Sequence, residues 1–201
     1  YRIFGDRRSG NCLKVKWTAD LLDLAYEWVE IDVLKQETRT ATFLARSPAG
    51  QVPVLELPDG SSLSQSNAIV LYLLKSHGSP LVPLDDFVFA QVLQWLFWEQ
   101  YSHEPAIAVR RFQKAYLGWS DDEIEPTLLE KGNAALQVME DHLSRQFWFA
   151  GDNISAADIA LVAYTRSAPE GGFDLSAYPQ LEACIGRTEA ALGLPPLVEA
   201  S

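Results

Sequence analysis

Three short polar stretches carry side chains suited to chemistry. The first is Ser9-Gly10-Asn11-Cys12, between a strand-like run and a helical one. Backbone N–H groups at a helix start stabilise negative charge, so a thiolate placed there is favoured. A redox pair of the C-x-x-C type needs cysteine at both ends, and Ser9 occupies the first. A hydroxyl cannot form a mixed disulfide, but it can donate a hydrogen bond to a bound thiolate. Ser9 is therefore a candidate donor, with Asn11 as the rival donor and helix capping as the plain alternative. Cys12, small and apolar on the first helical turn, reads as packed core, as does Cys184.

The second stretch is Gly50-Gln51-Val52-Pro53-Val54-Leu55, with a proline at the start of an apolar run, where a missing N–H is tolerable only at an edge or first position. Pro58-Asp59-Gly60 then makes a turn, and Ser62-Leu63-Ser64 a second short strand. The third stretch, Gln65-Ser66-Asn67, opens a helical run from Ala68 to Leu74. Strand, turn, strand and a polar helix N-terminus form a site for an extended peptide bearing a carboxylate.

These elements need a scaffold. Tyr1–Phe4 reads as a strand, and Leu13, Trp17, Leu21 and Leu24 follow helical spacing over Asn11–Leu24. Tyr26–Asp32 alternates as a half-buried strand, and Gln36–Arg46 is weakly helical. Because Tyr1 already lies inside a strand-like run, residues are expected in front of it. The second half shows no strand. Phe87–Tyr101 is densely apolar and aromatic, and Glu99–Pro105 interrupts its helical pattern near a proline. A helix start is expected at Asp121–Pro126, and a long helix to about Arg145. Ser155 and Asp158 form a capping box between the staple residues Ile154 and Ile159. Helices Ala156–Thr165 and Leu181–Leu192 complete the run. His103 reads as a surface histidine without a role, and Arg110-Arg111 as a solvated pair.

The 201 residues are 48% hydrophobic, enough for a buried core. Residues 1–78 carry nine basic and nine acidic side chains, so the whole net charge of −11 falls on the remainder. That acidity argues against nucleic acid or an anionic membrane as partner. The charge change falls at Ser76-His77-Gly78-Ser79-Pro80, a linker, and divides the chain into domains 1–78 and 84–201. No apolar run reaches bilayer length, no signal pattern opens the chain, and two distant cysteines suggest no disulfide framework, which points to a cytoplasmic protein. No Cys/His metal spacing, phosphate-cradling loop or nucleophile elbow is present.

Taken together, Ser9, Gly50–Leu55 and Gln65–Ile69 resemble the glutathione-binding core of the serine-type, bacterial-like cytosolic glutathione S-transferases. The resemblance implies a thioredoxin-like α/β N-terminal domain of βαβαββα order, followed by an all-α C-terminal domain. It implies that Val52-Pro53 is a cis step whose backbone pairs with the cysteinyl unit of glutathione, and that Gln51 meets the glycyl carboxylate. It implies that Ser66 holds the γ-glutamyl carboxylate and Gln65 the ammonium, glutamine here replacing a frequent acid. Trp98, Tyr101 and Trp119, within an aromatic stretch that includes Trp95, Phe112 and Tyr116, are expected to line the electrophile pocket. The expected enzyme is a cytoplasmic homodimer that conjugates glutathione, as co-substrate and without further cofactor or metal, to a small hydrophobic electrophile in detoxification. The rival expectations are a glutathione-dependent peroxidase or disulfide reductase and a non-catalytic interaction module.

Overall fold

The computed structural model describes residues 1–195, and the chain divides into one compact unit over Tyr1–Val82 and a second from Pro83 onward. In the first unit the order is β1 (Arg2–Gly5), α1 (Gly10–Leu21), β2 (Glu27–Glu30), a 3-10 turn at Glu37–Arg39, α2 (Ala41–Leu44), β3 (Val54–Glu56), β4 (Ser62–Ser64) and α3 (Ser66–Ser76). Together these make the βαβαββα order of a thioredoxin-like domain.

The sheet runs β2-β1-β3-β4, with β1 parallel to β2 and the other pairs antiparallel. Ile3 faces Leu55 across β1 and β3, and Leu55 faces Leu63 across β3 and β4. The apolar residues of the strands and of α1 and α3 make the core: Ile3, Val15, Leu55, Ile69, Val70, Leu73 and Leu74 are all fully buried. A second cluster joins Phe4, Phe43 and Val54, with Val29, Ile31 and Val52 packed against it. One turn of helix, α2, thus exists to seat Phe43, and Thr40 caps it by accepting from the Phe43 N–H.

The stripe expected on α1 packs only in part, with Trp17 buried and Leu13 half-buried. Leu21 is exposed, whereas Cys12, Lys14, Val15, Thr18 and Ala19 are buried. The helix is covered on more than one side, so a single 3.6-residue stripe does not describe it.

The second unit is helical: α4 (Asp86–Trp98), a π-helical turn at Glu99–His103, α5 (Glu104–Arg111), another π turn at Phe112–Tyr116, α6 (Pro126–Leu143), α7 (Ala156–Thr165) and α8 (Pro179–Leu192). No strand occurs after residue 82 among the described residues. All ten residues of α7 are buried, which makes it the axis of this unit. Its start carries the expected capping box. Ser155 Oγ accepts from the Ala157 N–H at 3.3 Å, and the Asp158 carboxylate accepts from the Ser155 N–H at 2.8 Å.

Three expectations are corrected here. The helix that was to break near Pro105 runs on, because the Glu104 N–H bonds back five residues to the Glu99 carbonyl and Pro105 falls in the first turn of α5. His103 is not on the surface: it is fully buried and Nε2 lies 2.9 Å from Thr165 Oγ1. Arg110 and Arg111 are buried, not solvated. Arg110 donates to the Gly171 carbonyl and pairs with Asp121, and Arg111 donates to Glu170 and the Tyr116 hydroxyl. Their stems cover apolar surface while their planar heads find local acceptors.

Candidate functional site

The site in the first unit is built from two helix starts and the loop that enters β3. Ser9 is the N-cap residue of α1, with extended φ and ψ, yet its side chain makes no capping bond. Instead the hydroxyl lies against the Cys12 thiol. Burial pushes the Cys12 pKa up to about 12, and the Ser9 hydroxyl only partly counters this. A thiol so held is a core group and not a nucleophile. The loop that carries Ser9 is itself clamped. Asp6, 3% exposed, accepts from Arg8 Nε at 2.8 Å and Nη2 at 2.6 Å, and the same guanidinium reaches Asp32 at 2.9 Å. Burial works to raise the Asp6 pKa, but the Arg8 guanidinium and the N–H groups of Arg8 and Val33 hold it below the ordinary value.

Asn11, half-buried in the first turn of α1, meets the start of α3. Ser66 Oγ donates to Asn11 Oδ1 at 2.9 Å, and Lys14 Nζ donates to the same oxygen at 2.8 Å. Lys14 Nζ also reaches Asn67 Oδ1 at 3.4 Å, and Lys14 is fully buried. Ser66 is the first residue of α3, where N–H groups lack intrahelical partners. Gln65, just before it, is exposed and sits at φ +73°, a left-handed conformation uncommon for a side chain with a Cβ. Such a position is held by its surroundings.

The entry to β3 is fixed by Ser47. Its hydroxyl donates to the Gln51 carbonyl at 3.0 Å and accepts from the Gln51 N–H at 3.4 Å. The Val52-Pro53 peptide is cis, with Pro53 buried and Gln51 exposed. Gly50 has φ +62°, and a Cβ there would come within 2.5 Å of Arg39 Nη1. Arg39 is an exposed cation whose Nη1 donates to the Ala49 carbonyl at 3.4 Å, two positions before Gln51.

The structure therefore gathers Ser9 with Asn11 at the start of α1, and Ser66 with Asn11 between the two helix starts; Gln65, Gln51, Val52 and Pro53 lie on the adjoining chain. Lys14, Arg39, Ser47 and Asn67 were missed. Nothing but position marks them in the sequence, although Lys14 stands three residues after Asn11, the spacing of one helix face.

In the second unit the three aromatic candidates do not form one cluster. Trp98 is half-buried, with its ring 5.2 Å from that of Trp95 and 6.2 Å from that of His103. Tyr101 is 87% exposed and Trp119 40%. No ring contact joins the three among the described residues. Among the described residues no group of three His, Cys, Asp or Glu is placed to hold a metal ion, and no helix is long and apolar enough to cross a membrane.

A thioredoxin-like domain with a serine in place of the first redox cysteine, followed by an all-helical domain, defines a thiol-binding class of protein. The profile of the glutathione S-transferase N-terminal domain matches residues 3–81, and that of the C-terminal domain matches 106–190. The chain belongs to the glutathione S-transferase family of enzymes. It is 31% identical over 191 residues to a probable glutathione S-transferase of Oryza sativa subsp. japonica, covering 90% of this chain and 88% of that one. It is 30% identical over 182 residues to a maleylacetoacetate isomerase of Rhizobium meliloti, covering 88% and 85%. It is also similar to the crystal structure of a glutathione S-transferase from Pseudomonas fluorescens, at TM-score 0.93, 48% identity and 98% coverage of both chains.

Proposed function

We propose that this protein binds glutathione in its first unit and transfers the thiolate to a small hydrophobic electrophile. The observation that carries this is the hydrogen bond from Ser66 to Asn11, which ties the carboxylate-binding start of α3 to the thiol-binding start of α1. One tripeptide can then span both. The γ-glutamyl carboxylate meets the N–H groups of Ser66 and Asn67, with Gln65 accepting from the ammonium. The cysteinyl unit pairs with Val52 beside Pro53, and Gln51 and Arg39 face the glycyl carboxylate.

A free thiol has a pKa of about 8.5, so only a few per cent is thiolate at neutral pH. Lowering it by roughly two units costs the site about 2.7 kcal/mol of differential stabilisation. The Ser9 hydroxyl, the Asn11 amide and the N–H groups opening α1 are the donors available for it. The thiolate sulfur then attacks the electrophilic carbon, forming the S–C bond as the leaving group departs. Trp98, Tyr101 and Trp119 are the apolar contacts proposed for that partner.

Titrating the absorbance of glutathione thiolate with the protein present tests the reading. A depressed pKa supports it, and no bound thiolate refutes it in favour of a non-catalytic module. The inert Cys12 weighs against a peroxidase or reductase that uses a protein cysteine. The isomerase name of the Rhizobium relative carries a second reading. Mass spectrometry separates the two, because a conjugate gains glutathione and an isomer keeps the substrate mass.

Two free thiols suit a reducing, cytoplasmic setting. The exposed apolar side chains Phe87 and Phe97 on α4 support a homodimer.

A further inference from the structure

An amide side chain presents an oxygen that accepts and a nitrogen that donates, in nearly the same shape. Which end of Asn11 faces a bound thiol therefore matters more than its presence. A thiolate beside the NH2 group is stabilised, and beside the oxygen it is repelled. Ser66 does not settle the orientation, since a hydroxyl bonds either end by turning its proton. Lys14 does, because an ammonium only donates. Its Nζ lies 2.8 Å from Asn11 Oδ1, and the residue is fully buried three positions along α1. A lysine on a helix leans towards the N-terminus, which brings its head to the first turn.

We infer that Lys14 is a positioning residue whose buried ammonium locks the Asn11 amide with its oxygen turned inward, so that the NH2 group is the end offered to a thiol bound at the start of α1. Ser66, given an acceptor, is left to donate to the same oxygen, as observed at 2.9 Å. Loss of the ammonium removes the one of these two partners that demands the oxygen, since the Ser66 hydroxyl can equally accept from the nitrogen.

The inference rests on the glutathione reading, and thiol titrations separate the two. Wild type that binds no glutathione refutes that reading. Wild type that holds the thiolate while Lys14→Met holds it equally well overturns the inference alone. The expected result is a bound-thiol pKa raised by about one unit in Lys14→Met, a tenfold fall in the ratio of thiolate to thiol, with affinity for S-methylglutathione changed less than threefold. Asn11→Ala should raise the pKa similarly, and the double variant no further than Asn11→Ala alone. A further rise in the double variant means that the ammonium acts on the sulfur as a charge and overturns the positioning role. Should Lys14→Met fail to fold, Asn11→Asp replaces it: the carboxylate keeps both acceptor bonds and melts no lower than wild type, but lacks the donor and raises the thiol pKa. An unchanged pKa in Asn11→Asp overturns the inference.

Discussion

The Ser66 hydroxyl donates to Asn11 Oδ1 at 2.9 Å and so joins the first turns of α3 and α1 across 55 positions of sequence. A hydrogen bond of this kind is worth about 0.5–1.5 kcal/mol net. Ser66→Ala should raise the KM for glutathione about threefold to tenfold while kcat stays near wild type. Steady-state kinetics with varied glutathione reads this directly, and an unchanged KM removes Ser66 from the binding site.

Ser9 contributes at a different step. Its hydroxyl does not cap α1, so removing it leaves the helix start intact. A donor to a charged sulfur is worth about 1.5–3 kcal/mol, and the Asn11 amide and main-chain donors remain. Ser9→Ala should therefore lower kcat about tenfold with glutathione affinity near normal. An unchanged kcat would transfer the whole role to Asn11 and the backbone.

Asp158 gives the second unit a pH signature. Burial pushes its pKa up to about 6, against the opposing hydrogen bonds from the Phe149 and Ser155 N–H groups. The folded state binds the proton more tightly than the unfolded one. Its contribution is fully present below about pH 4 and is lost as pH rises to about 6, a change of about 3 kcal/mol. Asp158→Asn cannot titrate. Subtracting its unfolding free energy from that of wild type, pH by pH, should show a difference falling across pH 4–6 and flat above it. A flat difference throughout would mean that the capping hydrogen bonds cancel the effect of burial.

The Arg8 clamp predicts the opposite slope. Asp6 has a lowered pKa, so its contribution is present above about pH 4 and lost as pH falls through the folded pKa. Arg8→Ala leaves that buried carboxylate with its backbone donors alone. Its acid unfolding midpoint should move to higher pH, read by circular dichroism; a midpoint at the wild-type pH would show that the clamp does not stabilise the loop.

Phe97 is 73% exposed on α4. If this face joins two copies, Phe97→Glu should convert a dimer to a monomer in sedimentation equilibrium. A dimer of undiminished strength places the interface elsewhere.

Most of the fold was legible because its signals are local. The apolar runs of β1 and β3, the Pro58-Asp59-Gly60 turn and the Ser155–Asp158 box each declare themselves within a few residues. What escaped depends on facing. Arg110 and Arg111 read as a solvated pair and Lys14 drew no reading, since no local pattern announces the acceptors that bury them. Asn11 Oδ1 comes from three residues away, but Gly171 and Glu170 lie about sixty positions beyond their arginines. The site itself was half-legible: Ser9 and Ser66 stand at recognisable helix starts, whereas Ser47 matters only through the loop it braces.

The π turn at Glu99–His103 has a consequence for how this chain can vary. A π turn holds one residue more than an α turn, so the backbone tolerates a change of length there without losing its pairing. Deleting a single residue such as Gln100 would restore ordinary helix while each flank keeps the face it now presents. Descendants of this sequence could thus shed a residue between α4 and α5 by deletion alone, without turning either helix away from its packing.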